Sequence, residues 1–255
     1  MPANYIIDMD GVIYLGNTLI PGAKDFVARL VDGGHRFLFL TNSSNLTPLE
    51  LQRKLSTMGI EVSPHYFFTS AMATADFLDH QHPHGRVYVI GGDGLREALT
   101  AVGYTITDDQ PDYVVVGTTR TYDYEQMEKA VGLVRAGARL IGTNPDVTGP
   151  SDHGIIPACG ALVAPIQLIT GAHPYFVGKP NPLMMRTALR RIHAHSADTF
   201  MVGDRMDTDV VAGTEAGMRT ILVLSGVTMR AEIDTYAFRP HYVFANVGDI
   251  PVEGL

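Results

Sequence analysis

Apolar runs of strand length recur along the chain: Tyr5–Ile7, Phe37–Leu40, Val87–Ile90, Tyr113–Val116, Arg139–Ile141, Tyr175–Val177, Phe200–Val202, Thr220–Leu224 and Tyr242–Phe244. Several are β-branched or aromatic, and apolar at consecutive rather than alternate positions. A strand reads this way when neither face meets water, which is the condition in a parallel sheet covered on both sides. Helical spacing fills the intervals. The clearest case starts at Thr47-Pro48-Leu49-Glu50, which has the form of a capping box with Pro48 at the first helical position. Leu46 and Leu51 are spaced for a hydrophobic staple. Leu51, Leu55 and Met58 mark one face, and Gly59 ends the helix. Asn181-Pro182 predicts a second start by the same logic. Strand alternating with helix predicts an α/β fold with right-handed crossovers.

The pattern changes near residues 80–85, "HQHPHG". A second strand-rich block follows, about 86 to 175, with turn-rich segments "TDDQPD" and "TNPDVTGPSDHG". We read it as an insertion: residues 1–80 and 177–255 form a discontinuous core and 81–176 an inserted domain. His80, His82 and His84 could form a metal tract, but no carboxylate or cysteine joins them, and a solvated linker is the favoured reading.

The ends of the runs carry the chemistry. The first leads into "DMDG", with Asp8 and Asp10; Asp and Gly are ordinary turn residues, so this alone decides nothing. The run "RFLFL" leads into Thr41-Asn42-Ser43, "YFVG" into Lys179, and "TFMVG" into Asp204 with Asp209 following. Ligands of open parallel sheets bind outside the carboxyl ends of the strands. Four such ends bearing carboxylates, a hydroxyl and amide, a lysine and another carboxylate argue against plain turns. Clustered carboxylates need a cation or a shared proton. Oxygen donors alone suit Mg²⁺. The same groups suit phosphoryl transfer, with one carboxylate as nucleophile, another as proton donor and acceptor, and lysine and hydroxyl holding the phosphoryl oxygens.

Composition narrows the picture. The 255 residues are 45% hydrophobic and 18% charged, enough apolar material for one large or two modest domains. Net charge is −8 and the pI about 5.6, against a dedicated nucleic-acid binder but compatible with a small phosphorylated substrate. The single cysteine, Cys159, allows no intrachain disulfide. With no signal-peptide pattern and no apolar run of membrane-spanning length, the expected location is the cytoplasm, without membrane association.

"DMDGV", "LTNSS", "GKPNP" and "GDRMDTD" resemble, in order and spacing, the four motifs of the haloacid dehalogenase superfamily, over nearly the whole chain. "TSAMATADFL", "GTNPD", "PACGAL" and "LVLSGV" are similar to its NagD-like phosphatases, which carry a large cap between the second and third motifs. The resemblance implies a Rossmann-like parallel-sheet core with an inserted α/β cap of the C2 type. It also implies an Mg²⁺-dependent phosphatase acting through an aspartyl-phosphate, on nucleoside monophosphates such as UMP. Sugar, glycerol or pyridoxal phosphates are the alternatives. By the same resemblance Asp8 is the nucleophile and Asp10 the general acid/base. The metal ligands are Asp8, Asp10 through its backbone carbonyl, and Asp204, while Asp209 orients a metal-bound water. Thr41, Asn42, Ser43 and Lys179 bind the phosphoryl group. Asn144, Asp146 and the loop through His153 are candidate leaving-group contacts, with a plain turn as the other reading. The second motif reads Thr-Asn-Ser-Ser, where many relatives have another asparagine or a tyrosine after Thr-Asn. The fourth adds Arg205 and Asp207 beside the expected metal site.

Rivals are weaker. A cysteine phosphatase needs C-x5-R, but the sixth residue after Cys159 is Pro165, so Cys159 reads as a packed residue. There is no G-x-S-x-G or HExxH, and "GGDG" is not a dinucleotide fingerprint. A receiver-like phosphoryl-storing module uses similar groups but is about half this length and lacks the role assigned to Asp10. A partner-binding protein on the same fold is the remaining alternative. The expected partner is a small phosphorylated metabolite, and the expected state a monomer or homodimer.

Overall fold

The structure, a computed structural model, describes residues 3–151 and 154–254; His153 lies outside them. The chain opens on strand β1 (Asn4–Ile7), a small hairpin of β2 (Tyr14–Leu15) and β3 (Thr18–Leu19), helix α1 (Ala23–Asp32), β4 (Phe37–Thr41), α2 (Pro48–Thr57) and β5 (Phe67–Thr69). Next come α3 (Ser70–Gln81), β6 (Arg86–Ile90), α4 (Asp93–Ala101), β7 (Thr105–Ile106), β8 (Tyr113–Val116), α5 (Tyr124–Arg135) and β9 (Arg139–Gly142). A hairpin of β10 (Thr148–Ser151) and β11 (Gly154–Pro157), helix α6 (Cys159–Thr170) and β12 (Tyr175–Phe176) follow. The chain closes with α7 (Pro182–Arg191), β13 (Thr199–Gly203), α8 (Val211–Glu215), β14 (Arg219–Val223) and β15 (Tyr242–Phe244).

These elements form two compact units. One comprises Met1–Thr41, Leu51–Phe68 and Lys179–Leu255; the other comprises Asn42–Glu50 and Thr69–Gly178. The division differs from the sequence reading of 1–80 with 177–255. Helix α3 packs on α4, and the Tyr104 hydroxyl donates to the Leu78 carbonyl at 2.9 Å, so α3 lies in the second unit. "HQHPHG" is then the end of α3 and the loop after it, inside that unit rather than at a boundary.

The first unit holds a six-stranded sheet in the order β15-β14-β13-β1-β4-β5. The β1 residues Asn4–Ile7 run parallel to Thr199–Val202 on one side, and Tyr5–Ile7 run parallel to Phe37–Phe39 on the other. All residues of β1, β4 and β13 are buried, as consecutive apolar positions predict. From β1 the chain moves outward through β4 to β5, then returns to the opposite side of β1 and moves outward through β13, β14 and β15. Strand order therefore reverses at the β1–β13 pair, and the carboxyl ends of these two strands open the crevice where such sheets bind ligands.

The second unit has its own five-stranded sheet, β12-β9-β8-β6-β7, parallel throughout. Its core includes Ile90, Val114, Val116, Leu140, Cys159, Val163 and Ile166. Cys159 is fully buried, its thiol donating to the Val116 carbonyl at 3.1 Å, which makes it the packed residue expected.

Local signals held at several helix ends. Thr47 and Glu50 form the reciprocal capping box, at 2.8 and 3.2 Å. The α2 C-terminus closes through Gly59 at φ 85°, with Ile60 N–H donating to Leu55 and Gly59 N–H to Ser56. Asn181 caps α7 through Leu183 N–H at 2.9 Å. Asp123 and Gln126 cap α5 in the same reciprocal way. Replacing Asp123 with Ala should lower the stability of the second unit by about 1 kcal/mol, read as a lower urea midpoint, while Asp123→Ser retains most of it.

Candidate active site

At the β1–β13 switch point the backbone is fixed first. Asp8 N–H donates to Val202 O at 2.8 Å, extending the ladder by one residue and setting where the Asp8 side chain leaves the sheet. Past it the chain turns sharply: Ile13 N–H donates to Met9 O at 2.8 Å and Gly11 N–H to Tyr14 O at 2.7 Å. Gly11 sits at φ 79°, and a Cβ there would stand 2.5 Å from Asp204 Oδ2, so glycine is required on both counts.

Lys179 lies between two carboxylates, donating to Asp8 Oδ1 at 2.6 Å and Asp209 Oδ1 at 2.8 Å, with Leu40 O at 3.4 Å. Asp8, Lys179, Asp204 and Asp209 are all buried. Burial alone would lower the Lys179 pKa, but Asp209 and Asp8 outweigh it and raise it above the ordinary lysine range. Burial lifts the Asp8 carboxyl well above its usual value against the pull of Lys179. The second oxygen of Asp209 accepts Arg205 N–H at 3.2 Å. This follows from the wide turn at Met206–Val210, where Val210 N–H reaches back five residues to Arg205 O. Gly203 makes room for that turn, since a Cβ there would fall 2.2 Å from Asp209 Cβ.

Asp204 has one bonded oxygen and one orphan. Its Oδ2 accepts Val227 N–H at 2.7 Å, while its buried Oδ1 has no partner. A buried carboxylate oxygen without a donor is costly unless a proton or a cation meets it. Burial, then the Asp209 charge, push the Asp204 pKa up to about 7. Oxygens of Asp8, Asp204 and Asp209 lie within 4.8 Å of one another, a group able to hold a metal ion. Among the described residues His80, His82 and His84 form no such group.

Asp10 is half-buried. Burial raises its pKa, opposed by the charges of Lys54 and Lys179. Sequence reasoning missed Tyr14, whose backbone bridges to Asp10, and Lys54, because an aromatic in an apolar run reads as core and a helical lysine as solvated. Gly203, Gly226 and Val227 lie inside recognised motifs, but nothing in the sequence signals their roles. A Cβ at Gly226 would stand 1.9 Å from Asp204 Oδ2.

Three further expectations meet particular geometry. Thr41 ends β4, buried beside these groups in the first unit. Lys179 does not follow a strand of the core sheet: β12 pairs with β9 in the other sheet, and Lys179 is the first residue after the chain re-enters the first unit. In the second unit Asn144 Nδ2 donates to Asn42 O at 2.7 Å, Asn42 Nδ2 donates to Asp146 Oδ2 at 2.8 Å, and Ser70 Oγ donates to Asn42 O at 2.6 Å. Asn144 and Asp146 thus brace the segment that carries Asn42 and Ser43. Arg205 forms a two-bond pair with Asp207, at 3.0 and 2.7 Å.

Two measurements probe this electrostatics. Removing the ammonium leaves Asp8 and Asp209 as uncompensated buried neighbours, so Lys179→Met should lose about 3–5 kcal/mol of stability in metal-free buffer. The folded-state pKa of Asp204 lies above the unfolded value of about 3.9, so the folded protein holds the proton more tightly. Stability from this group is present at low pH and is lost as pH rises towards about 7. Melting in EDTA across this window should show wild type falling relative to Asp204→Asn; parallel curves would exclude the effect.

Comparison with known proteins agrees with this geometry. A family model for haloacid dehalogenase-like hydrolases matches residues 5–105, and a second, HAD-hydrolase-like, matches 176–250. The chain is 50% identical over 247 residues to a dihydroxyacetone phosphatase of Corynebacterium glutamicum, covering 97% of this chain and 90% of that one. It is 45% identical over 249 residues to the ribonucleotide monophosphatase NagD of Escherichia coli K12, covering 98% of each. It is 40% identical over 250 residues to an acid sugar phosphatase of Staphylococcus saprophyticus, covering 98% and 96%. The structure of NagD from E. coli K-12 superimposes with a TM-score of 0.93 at 44% identity, over 99% of both chains. No helix among the described residues is long and apolar enough to cross a membrane. The chain belongs to the haloacid dehalogenase-like hydrolases and is a NagD-like phosphatase of that family.

Proposed function

We propose that the protein is an Mg²⁺-dependent phosphomonoesterase that works through an aspartyl-phosphate on Asp8. The observation that carries this reading is the buried set of three carboxylates around one ammonium, with an orphaned Asp204 oxygen. All-oxygen donors fit Mg²⁺, and three carboxylates against one ammonium leave an excess of negative charge that a divalent cation balances. Asp8, Asp204 and the Asp10 backbone carbonyl would hold it. Both Asp209 oxygens already accept hydrogen bonds, which suits an orienting role. When bound, the ion neutralises charge on the phosphoryl group.

In the first step an Asp8 oxygen attacks phosphorus, the ester P–O bond breaks, and Asp10 gives its proton to the departing alkoxide. In the second, Asp10 takes a proton from water as that water attacks the phosphoryl-aspartate, freeing phosphate and restoring Asp8. Lys179 keeps Asp8 oriented and, with Thr41, offsets charge on the phosphoryl oxygens.

The substrate reading is a nucleoside monophosphate such as UMP, supported by the near full-length likeness to NagD. A triose phosphate is the second reading, favoured by the 50% identity to a dihydroxyacetone phosphatase; sugar phosphates stand behind it. Acidic composition supports a small metabolite rather than a nucleic-acid polymer as partner; the proposal also includes a cytoplasmic location away from the membrane and a monomeric or homodimeric state.

The test is phosphate release from UMP, dihydroxyacetone phosphate, sugar phosphates and p-nitrophenyl phosphate, with Mg²⁺ or EDTA. Turnover should require Mg²⁺ and fall by about 10³-fold or more in Asp8→Asn. The ranking names the substrate class. Turnover that survives EDTA or Asp8→Asn refutes the mechanism. No turnover, with lasting phosphorylation of Asp8, would assign a phosphoryl-storing protein instead.

A further inference from the structure

The loop that follows β14, residues 224–229, bonds to the turns after two other strands. Its base is set by Leu224 N–H, which donates to Phe244 O at 3.1 Å. Ser225 Oγ then donates to Gly11 O at 2.6 Å, in the turn after β1. Two residues on, Val227 N–H supplies the hydrogen bond to Asp204 Oδ2, in the turn after β13. Thr228 N–H donates to Asp204 O at 3.1 Å, and Thr228 Oγ1 accepts Met206 N–H at 3.2 Å. All of these groups lie in the first unit.

Apolar packing does little to hold this loop. Val227 is 55% exposed and Met229 70%, and Gly226 has no side chain to bury. The loop instead lies against the turn after β1 backbone to backbone: a Cβ on Gly11 would stand 3.0 Å from Gly226 Cα. The place of Val227 N–H is therefore fixed by polar pins on either side of it. Ser225 ties the loop to Gly11, and the buried Thr228 ties it to Asp204 and Met206.

These pins govern what the site offers to a cation. The bond from Val227 takes one Asp204 oxygen and so decides which oxygen stays unpartnered and where it points. On the β1 side, a planar trans peptide sets its C=O opposite its N–H. Gly11 N–H donates to Tyr14 O, which fixes the plane that carries the Asp10 carbonyl. Ser225 fixes the next plane through Gly11 O. One side chain thus locks the turn that bears Asp10, and another locks the turn that bears Asp204.

We propose that Ser225 and Thr228 are positioning residues for the divalent cation: they hold the loop after β14 so that the free Asp204 oxygen and the Asp10 carbonyl keep a fixed register. The inference rests on the reading of those two groups as ligands of the ion. Groups that orient metal ligands typically change metal affinity by about 10–100-fold when removed.

Ion binding without substrate or turnover tests this. The probe is Mn²⁺, which takes the same oxygen donors and whose free fraction is read from its EPR signal; Mg²⁺ follows by competition. The variants are Ser225→Ala, Thr228→Val, Thr228→Ser and Asp204→Asn, each also melted in EDTA. Thr228→Val keeps the shape and the backbone N–H and removes only the acceptor of Met206 N–H. Ser225→Ala and Thr228→Val should each weaken both ions about 10-fold, while Thr228→Ser stays within about 2-fold of wild type. Should Thr228→Val fail to fold, Ser225→Ala, at a half-buried hydroxyl, decides.

Unchanged ion affinity in the folded variants, with losses confined to the melting temperature in EDTA, would overturn the proposal. A loss that Thr228→Ser shares with Thr228→Val would also overturn it for Thr228, because the hydroxyl is then not what matters. Asp204→Asn keeps the two failures apart. If it abolishes ion binding while the hydroxyl variants bind like wild type, only the positioning role falls. If Asp204→Asn binds like wild type, or wild type takes up no ion, the reading of a cation at Asp204 falls and the inference falls with it.

Discussion

The site depends on one buried ammonium shared by two carboxylates. Lys179 binds Asp8 and Asp209 at 2.6 and 2.8 Å in a region from which water is nearly absent. Taking these charges out of water costs more than one attraction returns, so such a group persists only when every oxygen and proton finds a partner. Most do here: Asp209 uses both oxygens and Asp204 one of its two. The unmatched oxygen of Asp204 and the surplus of carboxylates over ammonium are the residue of this balance. A structure that keeps such an imbalance in one place, between strands that are buried throughout and mostly apolar, keeps it for use.

The fold delivers these groups by bringing together the ends of strands far apart in the chain. Adjacent β1 and β13 lead outward to opposite edges, so their ends diverge and leave a crevice. Asp8 and Asp204 are the residues that follow those strands. Backbone room is the second requirement. Gly11, Gly203 and Gly226 each stand where a Cβ would meet Asp204 or Asp209 below 3 Å. Three glycines thus surround two carboxylates, allowing the backbone to approach acids that larger residues would push aside.

Much of this was legible in the sequence, for identifiable reasons. Strands buried on both faces announce themselves by consecutive apolar residues, and β1, β4, β8 and β13 fall close to their predicted limits. Caps with reciprocal chemistry, such as Thr47 with Glu50, depend on neighbours alone and need no tertiary knowledge. What failed depended on distant partners. Strand β5 has three residues and β7 two, too short for a period, and the β10–β11 hairpin lay in a segment read as turns. Periodicity cannot say which sheet a strand joins, so β12 looked like a core strand leading to Lys179 when it belongs to the other sheet. Asn144 and Asp146 looked like candidates for a ligand; their bonds to Asn42, about a hundred residues earlier, come only from the fold.

Asp8 and Asp10, two residues apart, share the same direction of pKa shift from burial, and it has opposite consequences for them. In the proposed mechanism Asp8 is the nucleophile and must be ionised. For Asp8 the shift is a handicap that Lys179 reduces without removing, because Asp209 and Asp204 add to it. Further positive charge beside Asp8, such as the proposed divalent cation, would remove the handicap and make the anion available. The proposed proton donor must be protonated near neutral pH, so for Asp10 the same shift is an advantage. The partners differ accordingly. Asp8 receives a full ammonium at 2.6 Å; for Asp10 the charges of Lys54 and Lys179 offset burial only in part. The two proposed roles thus differ by what stands opposite each carboxylate rather than by the two aspartates themselves.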